Sequence, residues 1–231
     1  MNEAIILAGG LGTRLYPLTR TVPKPMMPIA EKPFLEYLLE RLSKHGFSRI
    51  ALSVGYLGEQ IESHFGPEWH GLELFYAHED APLGTGGAIA LTLPYLRSDY
   101  TLVLNGDTFC ALDWQAMGRF HENKSADLTI ALKPMYNFQR YGNVKVCEER
   151  VISFEEKQFV SSGQMNTGVY ILNRDLFVHF KMPEVFSFEM DFLQCRLHEV
   201  VAAAFMTDGY FIDIGVPADY DRARSELPEM I

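Results

Sequence analysis

The sequence predicts an α/β fold in three layers: an open, mainly parallel sheet between helices, with a small β-rich lid over its cleft. Three observations carry that expectation. Short apolar runs alternate with stretches at helical spacing through the first half of the chain. The first of these runs, Ala4 to Ala8, passes directly into glycines, as a strand buried on both faces does when it opens into a loop. From Asp127 onward, strand-like segments follow one another with few helices between them, which suits a sheet edge plus a lid.

Taken in order, Ala4-Ile5-Ile6-Leu7-Ala8 is the first strand. After a loop, Pro33 opens a helix, a position where its missing N–H costs nothing. Phe34, Leu35, Leu38, Leu39 and Leu42 recur on one face of that helix, and Gly46 closes it. Arg49 to Val54 reads as a strand, Gly58 to Phe65 as a short helix and Leu72 to Ala77 as a third strand. Gly86-Gly87 leads into a helix, and Thr101 to Leu104 is a short buried strand. In the second half, 128–133, 144–147, 151–154 and 169–172 are strands. Helix returns at Glu189 to Ala203, and a strand at Tyr210 to Ile212. No repeat, low-complexity tract or Pro/Gly/Ser linker interrupts the 231 residues, so 1–231 is expected to be one domain.

Hydrophobic residues make up 48% and aromatics 13%, a globular rather than disordered composition. The formal net charge of −10 argues against nucleic acid or an anionic membrane as partner. A small anion is still compatible, because a few local cations and backbone donors outweigh a distant global charge. Three cysteines, Cys110, Cys147 and Cys195, lie far apart and odd in number. That spacing predicts reduced thiols in a cytoplasmic protein rather than disulfides or a zinc site. No apolar run approaches the roughly 18 residues of a spanning helix, and the first is too short for a signal peptide. The seven histidines have no ligand spacing, and the ten methionines read as packing residues.

The chemistry concentrates in Leu7-Ala8-Gly9-Gly10-Leu11-Gly12-Thr13-Arg14-Leu15 and the following Pro23-Lys24-Pro25. Glycines straight after a buried strand let backbone N–H groups approach a phosphate chain with no side chain in the way. Arg14 suits bidentate contact with outer phosphate oxygens, and Lys24 a point charge nearer the α-phosphate. A dinucleotide fingerprint read from Gly10 and Gly12 needs glycine where Leu15 stands, and a P-loop needs Gly-Lys-Ser/Thr where Arg14-Leu15 stands. Two aspartates follow short apolar strands: Asp107 in Leu102-Val103-Leu104-Asn105-Gly106-Asp107, and Asp213 in Phe211-Ile212-Asp213-Ile214-Gly215. Ligand sites of open α/β sheets lie outside such strand ends, and magnesium takes oxygen from one or two carboxylates plus phosphates. An aspartate after a strand is ordinarily a turn or cap residue, which is the expectation for Asp99, Asp113 and Asp219.

The entry loop with Pro23-Lys24-Pro25 resembles the signature of the sugar-1-phosphate nucleotidyltransferase family, and further motifs follow in that family's order through nearly the whole chain. The resemblance implies a Rossmann-like nucleotidyltransferase fold, with 1–126 mainly on the nucleotide side and 127–231 mainly on the sugar-phosphate side. It implies that Leu7, Ala8, Gly9, Gly10, Gly12, Thr13 and Arg14 wrap a nucleoside triphosphate, with Gly84, Thr85 and Gly86 of Pro82-Leu83-Gly84-Thr85-Gly86-Gly87-Ala88 at the base. It places Lys24, Gly142, Glu156, Lys157, Asn166 and Gly168 on the sugar 1-phosphate, and Mg2+ on Asp107 and Asp213. Arg14, Lys24 and Asp107 are the implied catalytic residues. The segments 186–193 and 210–220 resemble the guanylyltransferase branch acting on D-glycero-α-D-manno-heptose 1-phosphate, which implies GTP and a role in surface polysaccharide synthesis. A uridylyltransferase for an amino-sugar 1-phosphate and a non-catalytic regulatory subunit stay open as alternatives. Homo-oligomers are common in the family, and the sequence leaves this chain's state open.

Overall fold

A computed structural model describes residues 1–155 and 157–230. Strand β1 (Glu3–Leu7) leads into a loop of short 3-10 turns, Thr13–Leu15, Leu18–Arg20 and Lys24–Met26. A small hairpin, β2 (Pro28–Ile29) and β3 (Lys32–Pro33), precedes α1 (Phe34–Lys44), with Pro33 at its N-cap as expected. Then come β4 (Arg49–Val54), α2 (Gly58–Phe65), β5 (Glu68–Trp69), β6 (Leu72–His78), α3 (Gly84–Thr92) and β7 (Tyr100–Asn105). The second half contains β8 (Thr108–Cys110), α4 (Trp114–Asn123), β9 (Leu128–Phe138), β10 (Asn143–Cys147), β11 (Arg150–Glu155) and β12 (Val160–Asn173). A π-helical segment, Phe188–Leu193, runs into α5 (Gln194–Arg196), followed by β13 (Ala202–Met206), β14 (Phe211–Asp213) and α6 (Pro217–Glu226).

Ten strands form one sheet in the order β10-β11-β13-β9-β12-β7-β1-β4-β6-β5. Four adjacent strands, β7, β1, β4 and β6, are mutually parallel, the geometry that helical crossovers produce. β12 joins β7 antiparallel, and β13 joins β9 parallel, so the second half supplies half of a mixed sheet rather than only its edge. The far ends of β9 and β12 pair with each other, and β10 pairs with both β11 and β12, so the β-rich part of the second half continues the same sheet antiparallel.

The period-2 alternation of the strands sorts their apolar residues onto two faces. On β1, Ala4 and Ile6 face one core and Ile5 the other. The first core is covered by α1, α2, α4 and α6, through residues such as Leu38, Ile61, Met117 and Ala223. The second is covered by α3 and the π-helical segment, through Ile89, Phe188 and Phe192. Phe188 and Phe192 stack with centroids 5.6 Å apart, and Phe177 meets both rings edge-on, which makes this the aromatic side of the molecule.

The expected helix from Glu189 to Ala203 is corrected in its last part. Helical turns end at Glu199, and Ala202–Met206 is a sheet strand. Three alanines favour helix locally. Here they pair with Leu128 to Ile130 of β9, where small side chains fit an inner strand, and the tertiary pairing wins. Helix α4 has no counterpart in the expectations above. Asp113, read there as a cap, accepts a hydrogen bond from Ala116 N at 2.9 Å.

His121 of α4 is 2% exposed, held between Thr129 Oγ1 at 2.8 Å and Asn173 Oδ1 at 3.0 Å. Burial pushes its pKa below the ordinary imidazole value, against the opposing pull of Asn173, Asp127 and Glu122. The unfolded chain therefore binds the extra proton first. Stability from this group is complete above about pH 6.5 and is lost as pH falls from there toward the depressed folded value. Urea unfolding at pH 7.5 and 5.5 should show a lower midpoint at 5.5. The gap should narrow in His121→Gln, and an unchanged gap would remove His121 as its source.

Candidate active site

The C-terminal ends of β1, β4, β6 and β7 meet at one rim, and the glycine loop leaves from there. Its first turn is tied to both neighbouring strands: Ala8 N donates to Ser53 O at 2.8 Å and Gly106 N to Leu7 O at 2.9 Å. Side chains are excluded where the backbones crowd. A Cβ at Gly106 would stand 2.7 Å from Leu7 O, and one at Gly9 2.4 Å from Glu79 Oε1. Gly10 faces open space, and Gly12 turns the chain at φ 62° while its carbonyl accepts from Thr19 Oγ1 at 2.8 Å.

Lys24 and the two aspartates meet in space. Lys24, 7% exposed, places Nζ 2.5 Å from Asp107 Oδ2 and 3.8 Å from Asp213 Oδ1. Asp107 reaches this point from the turn after β7, and Asp213 from the end of β14, which pairs antiparallel with β8. Gly215 N fixes Asp213 Oδ1 at 2.7 Å, and Thr108 Oγ1 donates to Asp107 Oδ1 at 3.1 Å. Gly215 leaves room for all of them: a Cβ there would stand 2.7 Å from Asp213 Oδ1, 3.0 Å from Lys24 Nζ and 3.2 Å from Arg14 Nη2.

The two carboxylates are driven apart electrostatically. Burial resists ionisation of Asp107, but the Lys24 charge, hydrogen bonds from Lys24 and Thr108, and the Arg14 charge outweigh it and hold the pKa below the ordinary value. Burial and then the Asp107 charge push Asp213 up, beyond what Lys24, Gly215 N–H and Arg14 return. Lys24 and Arg14 thus both act on the two carboxylates, and Lys24 is the one in direct contact with them. That donor set, two hard oxygens at a cleft floor, fits a divalent cation completed by phosphate oxygens. Among the described residues no group of three or more His, Cys, Asp or Glu side chains gathers into a larger cluster.

Two clefts of about 300 Å3 each adjoin at this point. The first, on the β1 side, is lined by Leu7, Ala8, Gly9, Gly10, Gly84 and Thr85 together with Lys24. Gly12, Thr13 and Arg14 do not line it: Gly12 shapes the turn, Arg14, expected on the triphosphate, lines the second cleft, and Lys24, expected also on the sugar phosphate, lines only the first. Gly86 is a correction to the expected base contact: its N–H donates to Phe186 O at 3.0 Å and a Cβ would collide with the Phe186 ring, so it is a packing glycine. The second cleft is lined by Arg14, Gly142, Lys157, Asn166, Gly168 and Asp213, among others. Glu156, expected beside Lys157, lies outside the described residues.

Several lining residues had no role in the sequence reading. Glu189 accepts from Thr85 Oγ1 at 2.6 Å and Tyr170 OH at 3.1 Å, and Asn166 Nδ2 donates to the same tyrosine oxygen at 2.7 Å. Burial, then the Glu189 charge, pushes the Tyr170 pKa well above its ordinary value, so the phenol stays a donor. Arg140 closes the other wall, paired with Asp219 at the start of α6, and Tyr141 beside it meets Phe211 edge-on at 5.4 Å. The signal for Glu189 lies in Phe186–Leu193, where the sequence shows a branch resemblance and the start of a helix but no contact for the carboxylate.

Comparison with known proteins identifies the family. Residues 3–229 match the model of the Nucleotidyl transferase family. The chain is 46% identical over 229 residues to a D-glycero-alpha-D-manno-heptose 1-phosphate guanylyltransferase of Aneurinibacillus thermoaerophilus, covering 99% of this chain and 100% of that one. A protein of the same description from Campylobacter jejuni is 48% identical over 219 residues, covering 94% and 96%. The crystal structure of HddC from Yersinia pseudotuberculosis complexed with GMP-PN superposes with a TM-score of 0.87 at 37% identity, covering 98% of this chain and 100% of that one. With its family's model matched from the first strand to the last turns, the chain belongs to the nucleotidyl transferase family and is an enzyme of that class.

Proposed function

We propose that the chain transfers GMP from GTP to D-glycero-α-D-manno-heptose 1-phosphate, releasing pyrophosphate and making a sugar nucleotide for surface polysaccharide. The observation that carries the reaction is the meeting of Lys24, Asp107, Asp213 and Arg14 where two clefts adjoin. The guanylyl and heptose assignments are supported by the relatives from Aneurinibacillus and Campylobacter, whose descriptions name that reaction.

The β1-side cleft takes the triphosphate, with the backbone of Gly9 and Gly10 against the phosphates and Gly84 and Thr85 toward the base. The second cleft takes the sugar 1-phosphate, with Lys157 on its phosphate and Gly142, Asn166 and Gly168 near the sugar. A phosphate oxygen of the sugar forms a bond to the α-phosphorus while the α–β bridging bond breaks, its electron pair leaving with pyrophosphate. The nucleophile is already an anion, so no side chain has to remove a proton. Lys24 and Lys157 bring two anions together, and Arg14 offsets charge on the departing pyrophosphate. Asp107 and Asp213 would hold Mg2+, which when bound would supply Lewis-acid neutralisation of phosphate charge.

The test is pyrophosphate release with magnesium, comparing ATP, CTP, GTP, UTP and dTTP against the heptose 1-phosphate. Release with GTP is expected, with the others at least about tenfold slower, the size of discrimination a few pocket contacts give. Release with UTP and an amino-sugar 1-phosphate instead would keep the reaction and overturn the guanylyl assignment. Silence with every pair, mannose and glucose 1-phosphates included, would favour a regulatory sugar-nucleotide-binding subunit.

A further inference from the structure

We propose that Asn105 is a further catalytic residue, whose side-chain N–H donates to a non-bridging oxygen of the α-phosphate as that phosphorus is attacked. The inference rests on the nucleotidyl-transfer reading above. Its ground is position. Asn105 is the last residue of β7, in register with Leu7 of β1, and its side chain lines both clefts. Thr85 and Asp107 are the other residues common to the two linings. Both are committed: Thr85 donates to Glu189 and accepts from Phe188 N, while Asp107 accepts from Lys24 and Thr108. The Asn105 carboxamide has no hydrogen-bond partner among the described residues, although Asn166, across the cleft, is held by Tyr170 and Gly168 N.

The wall beside Asn105 leaves room for its carboxamide. The register of β12 against β9 shifts between Asn166 and Tyr170, and inside that irregularity Gly168 takes φ 73°. A Cβ on Gly168 would stand 2.3 Å from Asn105 Nδ2 and 3.0 Å from its Cγ, so only a glycine lets the carboxamide lie where it does. The next charged group along the chain is Asp107, and the ligands of both clefts are phosphates. An anion-facing carboxamide presents its N–H side, because its oxygen would be repelled.

The chemistry asks for a donor at this place. As the sugar-phosphate oxygen bonds to the α-phosphorus and the bridging bond to the β-phosphate breaks, negative charge is spread over the equatorial oxygens of the α-phosphoryl group. A neutral donor there stabilises that charge with no proton transferred, and it adds nothing to ground-state binding that the cations do not already supply.

The experiment compares the wild type with Asn105→Ala and with Asn105→Leu, which keeps roughly the same volume against Gly168 but has no donor. Both variants are expected to lose about 100-fold in kcat, the effect of removing one preorganised donor. KM for GTP and for the sugar 1-phosphate should stay within about threefold, and the calorimetric Kd for GTP should be unchanged. Wild-type-like kcat in Asn105→Leu, a loss confined to either KM, or loss of GTP binding in both variants would each overturn the proposal, the last by making Asn105 a structural residue. If the wild type uses a different triphosphate, the guanylyl reading falls. The same comparison with that nucleotide still decides Asn105.

Discussion

Asp107→Asn is expected to lower kcat by about 1,000-fold or more while leaving the folded protein intact. The substitution is nearly isosteric, and the backbone around it is held independently by the Gly106 N–H bond to Leu7 O at 2.9 Å. The side chain is 31% exposed at the cleft, so no core packing depends on it. What changes is charge. Lys24 loses the charge of its 2.5 Å partner and keeps as carboxylate only Asp213 at 3.8 Å, which alters the balance of charge offered to the phosphates. The proposed metal ligand is lost at the same stroke, and electrostatic stabilisation of the transferring phosphoryl group is commonly the largest catalytic contribution. Pyrophosphate release across a magnesium titration, with thermal unfolding as control, checks it. The variant should need more magnesium and still fall short of wild type at saturation. Full activity at ordinary magnesium would remove Asp107 from the reaction, and a large drop in melting temperature would reassign it to structure.

Much of this site was legible before any coordinates because its parts are local. The glycine loop, Arg14 and Lys24 fall within one stretch, and Asp107 and Asp213 each follow a short apolar strand. Two other features were invisible for a physical reason. That Lys24 lies between two aspartates far along the chain is set by strand order, β1 beside β7 and β14 beside β8, which no local pattern encodes. The role of Gly86 was misread because a helix-entry glycine looks the same whether a ligand or Phe186 presses on it. Glu189 and Arg140 were missed likewise, being ordinary charged residues until Thr85 and Asp219 were brought alongside.

The fold shows the same division. Strands buried on both faces, such as β1 and β7, announce themselves as apolar runs, and α1 does so by its spacing. β13 did not, because Ala202 to Ala204 carry helix propensity and only their neighbours on β9 make them a strand. β9 and β12 are legible over their cores but not at full length, since their far ends are largely exposed or half-buried, as at Met135, Tyr136 and Ser162.

Lys24→Met should expose what the ammonium does before any substrate arrives. Methionine is close in length and lacks charge, so Asp107 and Asp213 then face each other with only Arg14 nearby. Removing one partner of a buried pair leaves an uncompensated charge. A loss of about 1–3 kcal/mol is expected, below the full range for such pairs because Asp107 is 31% exposed. Magnesium should offset this by occupying the position between the two carboxylates, so it should raise the melting temperature of the variant more than that of the wild type. Activity should stay low in both conditions, because the ion restores stability without restoring the point charge that brings the phosphates together. Thermal unfolding with magnesium or with EDTA, alongside pyrophosphate release, separates the two effects. If magnesium shifts neither wild type nor variant, the two aspartates do not hold the ion, and Lys24 has to be regarded as the site's permanent cation.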